Sequence, residues 1–420
     1  MISQNSGFLK SGHLPTLVAA LLYFDVSFMV WVLLGPLAPF LRDELQISAT
    51  EQGLLIAIPL LGGSLFRPIL GLLADRFGGR RTACVALVLT CVPLLLGWKV
   101  AHTIGQFYAL GFLLGIAGAS FAVALPLASA WYPPQYQGLA MGIAGAGNSG
   151  SLMATLCAPR LAERFGWSAT FGLMLLPVAI VLVVFMCLAK DAPRRTAPAT
   201  RRDYAAVLMQ ADTIWFALLY SLTFGGFVGF ASFLTTFFHE QYALSRVVAG
   251  DLTTVVVLAG SLLRPVGGWL SDRIGGYPLL LVLLLGVSGC LLVAAGLQPL
   301  TVEVTVLFVA LGLLGMGNGA VFQLVPQRFG NQIGLVTGIV GAAGGLGGFF
   351  LPSMLGAVRD ATGGYGAGLL MFAAALFAGA VTLLQLGAYW VPRWESGAAK
   401  RAGVFCYLGY LRERFRQQEA

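Results

Sequence analysis

Two arginines stand inside stretches that are otherwise apolar, at matching places of a repeated sequence. Arg67 lies in GSLFRPILGLLADRFGG (Gly63 to Gly79) and Arg264 in GSLLRPVGGWLSDRIGG (Gly260 to Gly276), with 11 of 17 positions identical at a constant offset of 197. An arginine at the centre of a membrane helix costs about 2.5 to 3.5 kcal/mol on insertion scales, so two at equivalent positions need a reason. Guanidinium is always charged and planar, and its paired N–H donors fit a flat oxyanion in bidentate fashion, which the point charge of lysine cannot reproduce. The plainer alternative is that each arginine snorkels or pairs with an acid. Few acids are near enough: Asp25, Glu51, Asp75, Asp251 and Asp272, of which at most Asp25 is deep. We read Arg67 and Arg264 as a candidate anion site. Pro68 and Pro265 follow them, and a kink at each proline would turn the arginine toward a cavity.

Such a pair has to be positioned by elements that tolerate lipid. The chain is 58% hydrophobic and 10% charged, against about 25% charged in a soluble domain. A spanning helix needs about 20 mostly apolar residues, because its backbone must be satisfied within the segment. Runs of that kind predict twelve spans, at about 16–40, 50–74, 82–101, 106–131, 137–159, 168–189, 213–238, 248–271, 278–297, 303–326, 332–356 and 366–391. With the N-terminus inside, 17 Lys and Arg fall in cytoplasmic segments, 6 in outer loops, and only Arg67 and Arg264 within spans. The positive-inside rule then puts both termini in the cytoplasm. The same distribution turns the net charge of +8 away from nucleic acid and toward the anionic inner leaflet, where the tail containing LRERFRQQ is expected to lie. No removable signal peptide is read at Met1 to Pro15.

Residues 191–212, rich in Pro, Arg and Thr, read as a cytoplasmic linker between an N-terminal half, 1–190, and a C-terminal half, 213–391, with a tail at 392–420. Two more repeats support that division. GLAMGIAGAGNSG from Gly138 matches GLVTGIVGAAGGLGG from Gly334 at offset 196, and GIAGASFAVALP ending at Pro126 matches GMGNGAVFQLVP ending at Pro326 at offset 200. The expected fold is therefore an all-α polytopic membrane protein of two pseudo-symmetric six-helix halves, with cargo held near the midplane between them.

Other chemistry is not encoded. The six cysteines fall singly, and His13, His102 and His239 form no constellation, so no metal is expected. The GxxGxGG strings follow no strand and are no dinucleotide fingerprint, and no catalytic triad or Walker sequence occurs. No cofactor is implied and the chain is not read as an enzyme.

The motif G-x-L-A-D-R-x-G-G-R-R (Gly71 to Arg81), with its weaker copy at Gly268 to Gly276, resembles the signature loop of the major facilitator superfamily. That resemblance makes Asp75 and Arg76, with Asp272 and Arg273 in the copy, parts of a cytoplasmic charge lock closed in the outward-open state. The glycine-dense AMGIAGAGNSG (Ala140 to Gly150) and TGIVGAAGGLGG (Thr337 to Gly348) resemble the paired signatures of the nitrate/nitrite porter family, as do FMVWVLLGPLAPF (Phe28 to Phe40) and GGFFLP (Gly347 to Pro352). The resemblance covers most of the chain. It implies a nitrate or nitrite cargo and, beside the arginines, contacts from Phe121, Asn148, Tyr220 and Phe224. Aromatic faces would sandwich the flat anion and Asn148 would donate a hydrogen bond. Unlike some members, this chain has no serine near Gly341.

Asp25, in LYFDVSF, is a candidate for proton coupling, since an acid at a site of low dielectric takes up protons more readily. A permanent ion pair or a position at the membrane edge is its bland alternative. These expectations describe a monomeric carrier in the cytoplasmic, or inner, membrane with roles in nitrate and nitrite transport and nitrate assimilation. Symport with protons is favoured over nitrate/nitrite antiport. An organic anion such as formate or oxalate is the rival cargo, and a sensor on the same fold is the rival class.

Overall fold

A computed structural model describes residues 8–193, 201–329, 333–394 and 396–404. The stretch LRERFRQQ, Cys406 and the linker arginines Arg194 and Arg195 lie outside them. The first span is α1 (Leu14–Trp31) and α2 (Leu34–Leu45), followed by α3 (Ala49–Phe77) and α4 (Gly79–Lys99). The fourth span is α5 (Ile104–Gly118) and α6 (Phe121–Ser129), the fifth α7 (Pro134–Gly145) and α8 (Gly150–Phe165), the sixth α9 (Trp167–Leu188). After a short α10 (Arg201–Leu208) come α11 (Ala211–Gln241), α12 (Arg246–Ile274), α13 (Gly276–Ala294), α14 (Leu300–Phe329), α15 (Ile333–Thr362) and α16 (Gly366–Trp390). A final α17 (Ser396–Ala402) folds back onto α14 through Arg401 Nε donating to Gln327 Oε1 at 2.8 Å.

Eleven helical segments among the described residues are long and apolar enough to cross a membrane. The twelfth predicted span, the fifth in order, is interrupted. Between α7 and α8 the chain tightens into a 3₁₀ turn at Ala146–Ser149. The amide of Asn148, oriented to satisfy its network, donates to the carbonyls of Gly145 at 3.1 Å and Ala146 at 3.2 Å. Local side-chain bonding of this kind competes with helix propagation.

Two other breaks have equally local causes. Pro36 has no N–H to give Val32 and its ring crowds that carbonyl, so α1 ends and α2 restarts. Between α5 and α6 the Ala122 N–H bonds to Ala119 at 3.0 Å, which leaves the Gly118 carbonyl without its helical donor.

Small residues let the helices approach. α3 crosses α5 at Gly62 and Gly115, and α12 crosses α14 at Gly260 and Gly315. Gly115 and Gly315 correspond at the offset of 200, and Gly260 corresponds to Gly63, the neighbour of Gly62, at 197. Between the halves α3 packs on α15, where Ser64 Oγ donates to the Ala342 carbonyl at 2.5 Å, and α8 packs on α12, where Thr155 and Thr254 share a hydrogen bond of 2.8 Å. A Cβ on Gly115 would sit 2.5 Å from Gly62 Cα, and one on Gly315 2.7 Å from Gly260 Cα, whereas at Gly142 and Gly289 nothing lies within 4 Å. Gly115→Val and Gly315→Val should therefore each lower stability by about 1 to 3 kcal/mol or more, while Gly142→Ala and Gly289→Ala stay near wild type. Melting in detergent, followed by the loss of monodisperse protein, reads both.

Candidate functional site

Arg67 sits on α3 with a relative exposure of 1%. Its Nε donates to the Gly118 carbonyl at 3.2 Å, the one released by the break between α5 and α6. Its Nη1 donates to the carbonyl of Gly341 on α15. A Cβ at Gly341 would stand 3.3 Å from the Phe121 ring, so a bare backbone is what lets α15 come this close. The guanidinium carbon also lies 5.2 Å from the Trp31 ring centre and 5.4 Å from those of Phe121 and Phe224. Ring faces and carbonyls thus meet this charge, and Nη2 is buried with no partner.

Arg264, on α12, is half-buried and lies beside the Tyr220 hydroxyl. Its Nη1 is likewise buried and unpartnered. Neither arginine is in an ion pair among the described residues. Tyr220 stacks on Phe224 with ring centres 5.1 Å apart and planes 7° from parallel. Tyr220 meets Phe322 edge-on at 4.8 Å, and Phe322 lies 6.1 Å from Phe121. A wall of rings therefore runs from one arginine to the other.

Trp31 and Phe322 were not among the candidates read from the sequence. Trp31 fell inside a quoted motif, and Gly63 of the repeat makes room for it, since a Cβ there would come within 2.7 Å of the indole nitrogen. Phe322 corresponds by offset to Ala122, so the repeat held no aromatic signal for it.

Asn148 and Asp25 are placed differently from the ring wall. Asn148 is buried in the 3₁₀ turn, which packs on α1 and α12, and its amide is tied to its own backbone. Asp25, half-buried on α1, accepts from Ser149 Oγ at 2.6 Å and contacts neither arginine.

The two ends of the bundle differ. At one end carboxylates and arginines tie the halves together: Glu240 of α11 takes both Arg42 of α2 and Arg359 of α15, and Asp43 takes Arg246. Asp251 accepts both terminal nitrogens of Arg160 at 2.6 and 2.8 Å. Asp360 accepts from the Thr50 and Ala49 amides at 2.7 and 3.1 Å. Tyr365 donates to Glu240 at 2.7 Å, and burial pushes its phenol up to about 12, so it stays protonated and donating at neutral pH. At the other end Asp75, Arg76, Asp272 and Arg273 are exposed and make no ion pair among the described residues. Arg76 lies against Phe77 and Arg273 over Trp269, at 5.4 and 4.1 Å.

Comparison with known proteins agrees with this architecture. Residues 19–352 match the family profile described as Major Facilitator Superfamily. The chain is 39% identical over 372 residues to a probable nitrate/nitrite transporter, NarK2, of Mycobacterium tuberculosis, covering 86% of this chain and 94% of that one. It is 34% identical over 380 residues to the nitrite extrusion protein of Bacillus subtilis, covering 88% and 93%. A crystal structure of a D-xylose–proton symporter shares the fold at a TM-score of 0.73 and 15% identity, over 88% of this chain and 96% of that one. The chain therefore belongs to the nitrate/nitrite porter family of the Major Facilitator Superfamily.

Proposed function

We propose that this protein carries nitrate and nitrite across the cytoplasmic membrane by alternating access, with nitrate held between Arg67 and Arg264. The observation that carries this reading is the pair of buried guanidinium nitrogens, one on each half, that no protein group satisfies. A flat anion offers oxygens to both and slides against the faces of Phe121, Tyr220 and Phe224. Without it the two positive charges repel, by about 2 kcal/mol for a pair taken at roughly 8 Å and an effective dielectric near 20, and the halves close on the site only when it is loaded.

The halves that rock are residues 1–190 and 213–391, joined by the linker at 191–212. The positive-inside rule orients the tied end outward and both termini, with the tail from 392, inward. With the outer end tied and Asp75, Arg76, Asp272 and Arg273 apart, the conformation fits an inward-facing state. The carrier works as a monomer in lipid without a cofactor.

Nitrate/proton symport is the favoured coupling, with Asp25 as proton carrier. Nitrate/nitrite exchange is the second reading, and the bond from Ser149 to Asp25, away from both arginines, favours it. Proteoliposomes free of internal nitrate and nitrite, given an inward proton gradient, separate the two. Uptake that collapses with the gradient supports symport, and uptake that starts only when nitrite is loaded inside supports exchange. In the symport case Asp25→Asn should lose about tenfold or more of gradient-driven uptake and its pH dependence while keeping nitrate binding. Full pH-dependent uptake in that variant removes Asp25 from the mechanism.

A further inference from the structure

Helix α14, which lends Phe322 to the ring wall, also carries a polar residue with no role so far. Asn318 on α14 is 1% exposed, and neither its Oδ1 nor its Nδ2 has a hydrogen-bond partner. A buried amide left unpaired in this way is unfavourable unless something else fills its bonding capacity.

Three independent observations put that something in the anion site. The first is depth. Arg67, Arg264 and Asn318 each stand eighteen residues beyond the first residue of their helices, Ala49, Arg246 and Leu300, and these even-numbered spans begin at the same end of the bundle. The second is the face of the helix. Phe322, one turn further on, belongs to the ring wall, and Gly315, nearly one turn back, is the crossing with Gly260 of α12. Asn318 shares that stripe. Its neighbour Gly319 abuts the turn of α12 that bears Arg264, since a Cβ there would lie 2.5 Å from the Arg264 carbonyl. The third is the repeat: at offset 200 Asn318 takes the place of Gly118, whose carbonyl accepts from Arg67.

We infer that Asn318 is a specificity-determining contact of the anion site. When the anion is bound, one N–H of the Arg264 Nη1, unpartnered in this structure, donates to the Asn318 Oδ1 as Arg67 donates to the Gly118 carbonyl, the other N–H stays with the anion, and the Asn318 Nδ2 donates to a further oxygen of the anion. The inference rests on the nitrate/nitrite reading of the site. Two facing guanidinium groups engage two oxygens of either anion, and only nitrate has a third oxygen for the amide. With nitrite the amide donor goes unmet, and a site built around a hydrogen bond disfavours the analogue that cannot make it. Of the other residues assigned in the C-terminal half, Phe224 presents a ring and the Tyr220 hydroxyl is engaged with Arg264.

The test is equilibrium binding of nitrate and of nitrite to the purified full-length protein by calorimetry, for wild type, Asn318→Ala and Asn318→Ser. Asn318→Ala should weaken nitrate about tenfold to a hundredfold and nitrite by less than about threefold, so the nitrate-to-nitrite affinity ratio collapses. Asn318→Ser, which keeps one small donor, should fall between. Equal losses for both anions, or an unchanged ratio in the folded serine variant, overturn the proposal. Wild-type protein that binds neither anion would overturn the functional reading before any variant is compared.

Discussion

Arg264→Lys should reduce nitrate affinity at least a hundredfold in a protein that melts at its wild-type temperature. Among the described residues Arg264 makes no ion pair and, unlike Arg67, no hydrogen bond to a backbone carbonyl; its partner is the Tyr220 hydroxyl, which an ammonium group can also meet, so little of the packing depends on its fork. The anion does. Lysine keeps the charge but gives up the paired N–H donors, and a hydrogen bond to a charged group is worth about 1.5 to 3 kcal/mol, so losing one or two gives a loss of that size. Arg67→Lys should lose transport to the same degree and some stability as well. Its Nε and Nη1 join the Gly118 carbonyl of the N-terminal half to the Gly341 carbonyl of the C-terminal half, and lysine cannot reach both in that geometry. Calorimetric titration with nitrate and thermal melting of each variant read the two effects separately. Near-normal affinity in either lysine variant would sink the bidentate site.

Glu240→Ala should open the tied end, the outer one in the proposed orientation. Glu240 is 8% exposed and stands between Arg42, at 28%, and Arg359, at 24%, which belong to opposite halves. Removing the carboxylate turns two attractions into one repulsion across the closing surface. Breaking a buried ion pair costs about 3 to 5 kcal/mol, and the partial exposure of both arginines lowers that to about 1 to 3 kcal/mol. The closed-to-open ratio should shift by about tenfold to a hundredfold. A cysteine introduced at Thr236, buried just inside the network beside Gln52, reports it through the rate of labelling by an impermeant maleimide in a background lacking the native cysteines. Tyr365→Phe, which removes only the hydroxyl donor to Glu240, should raise the rate several-fold less. An unchanged rate in Glu240→Ala would mean that this triad does not hold the outer end shut.

Membrane character, the order of the spans, the division into repeating halves and the matched arginines were all readable from sequence alone. Each follows from local composition or from a pattern that recurs along the chain, and neither needs knowledge of what touches what. A charge inside an apolar run advertises itself wherever the run folds. The resemblance that named the family likewise lay in contiguous motifs.

The partners of those residues were decided by the tertiary structure. Nothing near Arg67 in sequence indicates that a break between α5 and α6 frees the Gly118 carbonyl, or that Gly341, 274 residues away, brings another carbonyl to it. Phe322 joins the ring wall because α14 presents it there, although its repeat counterpart is an alanine. Asn148 spends its amide on the turn that it helps to form, and Asp25 faces Ser149 rather than an arginine. Glu240 gained its two arginine partners only when α2 and α15 converged on it. Hydropathy and repeats report what each helix is. Which donors find which acceptors depends on close approach between helices far apart in the chain, and on which end of the bundle is shut.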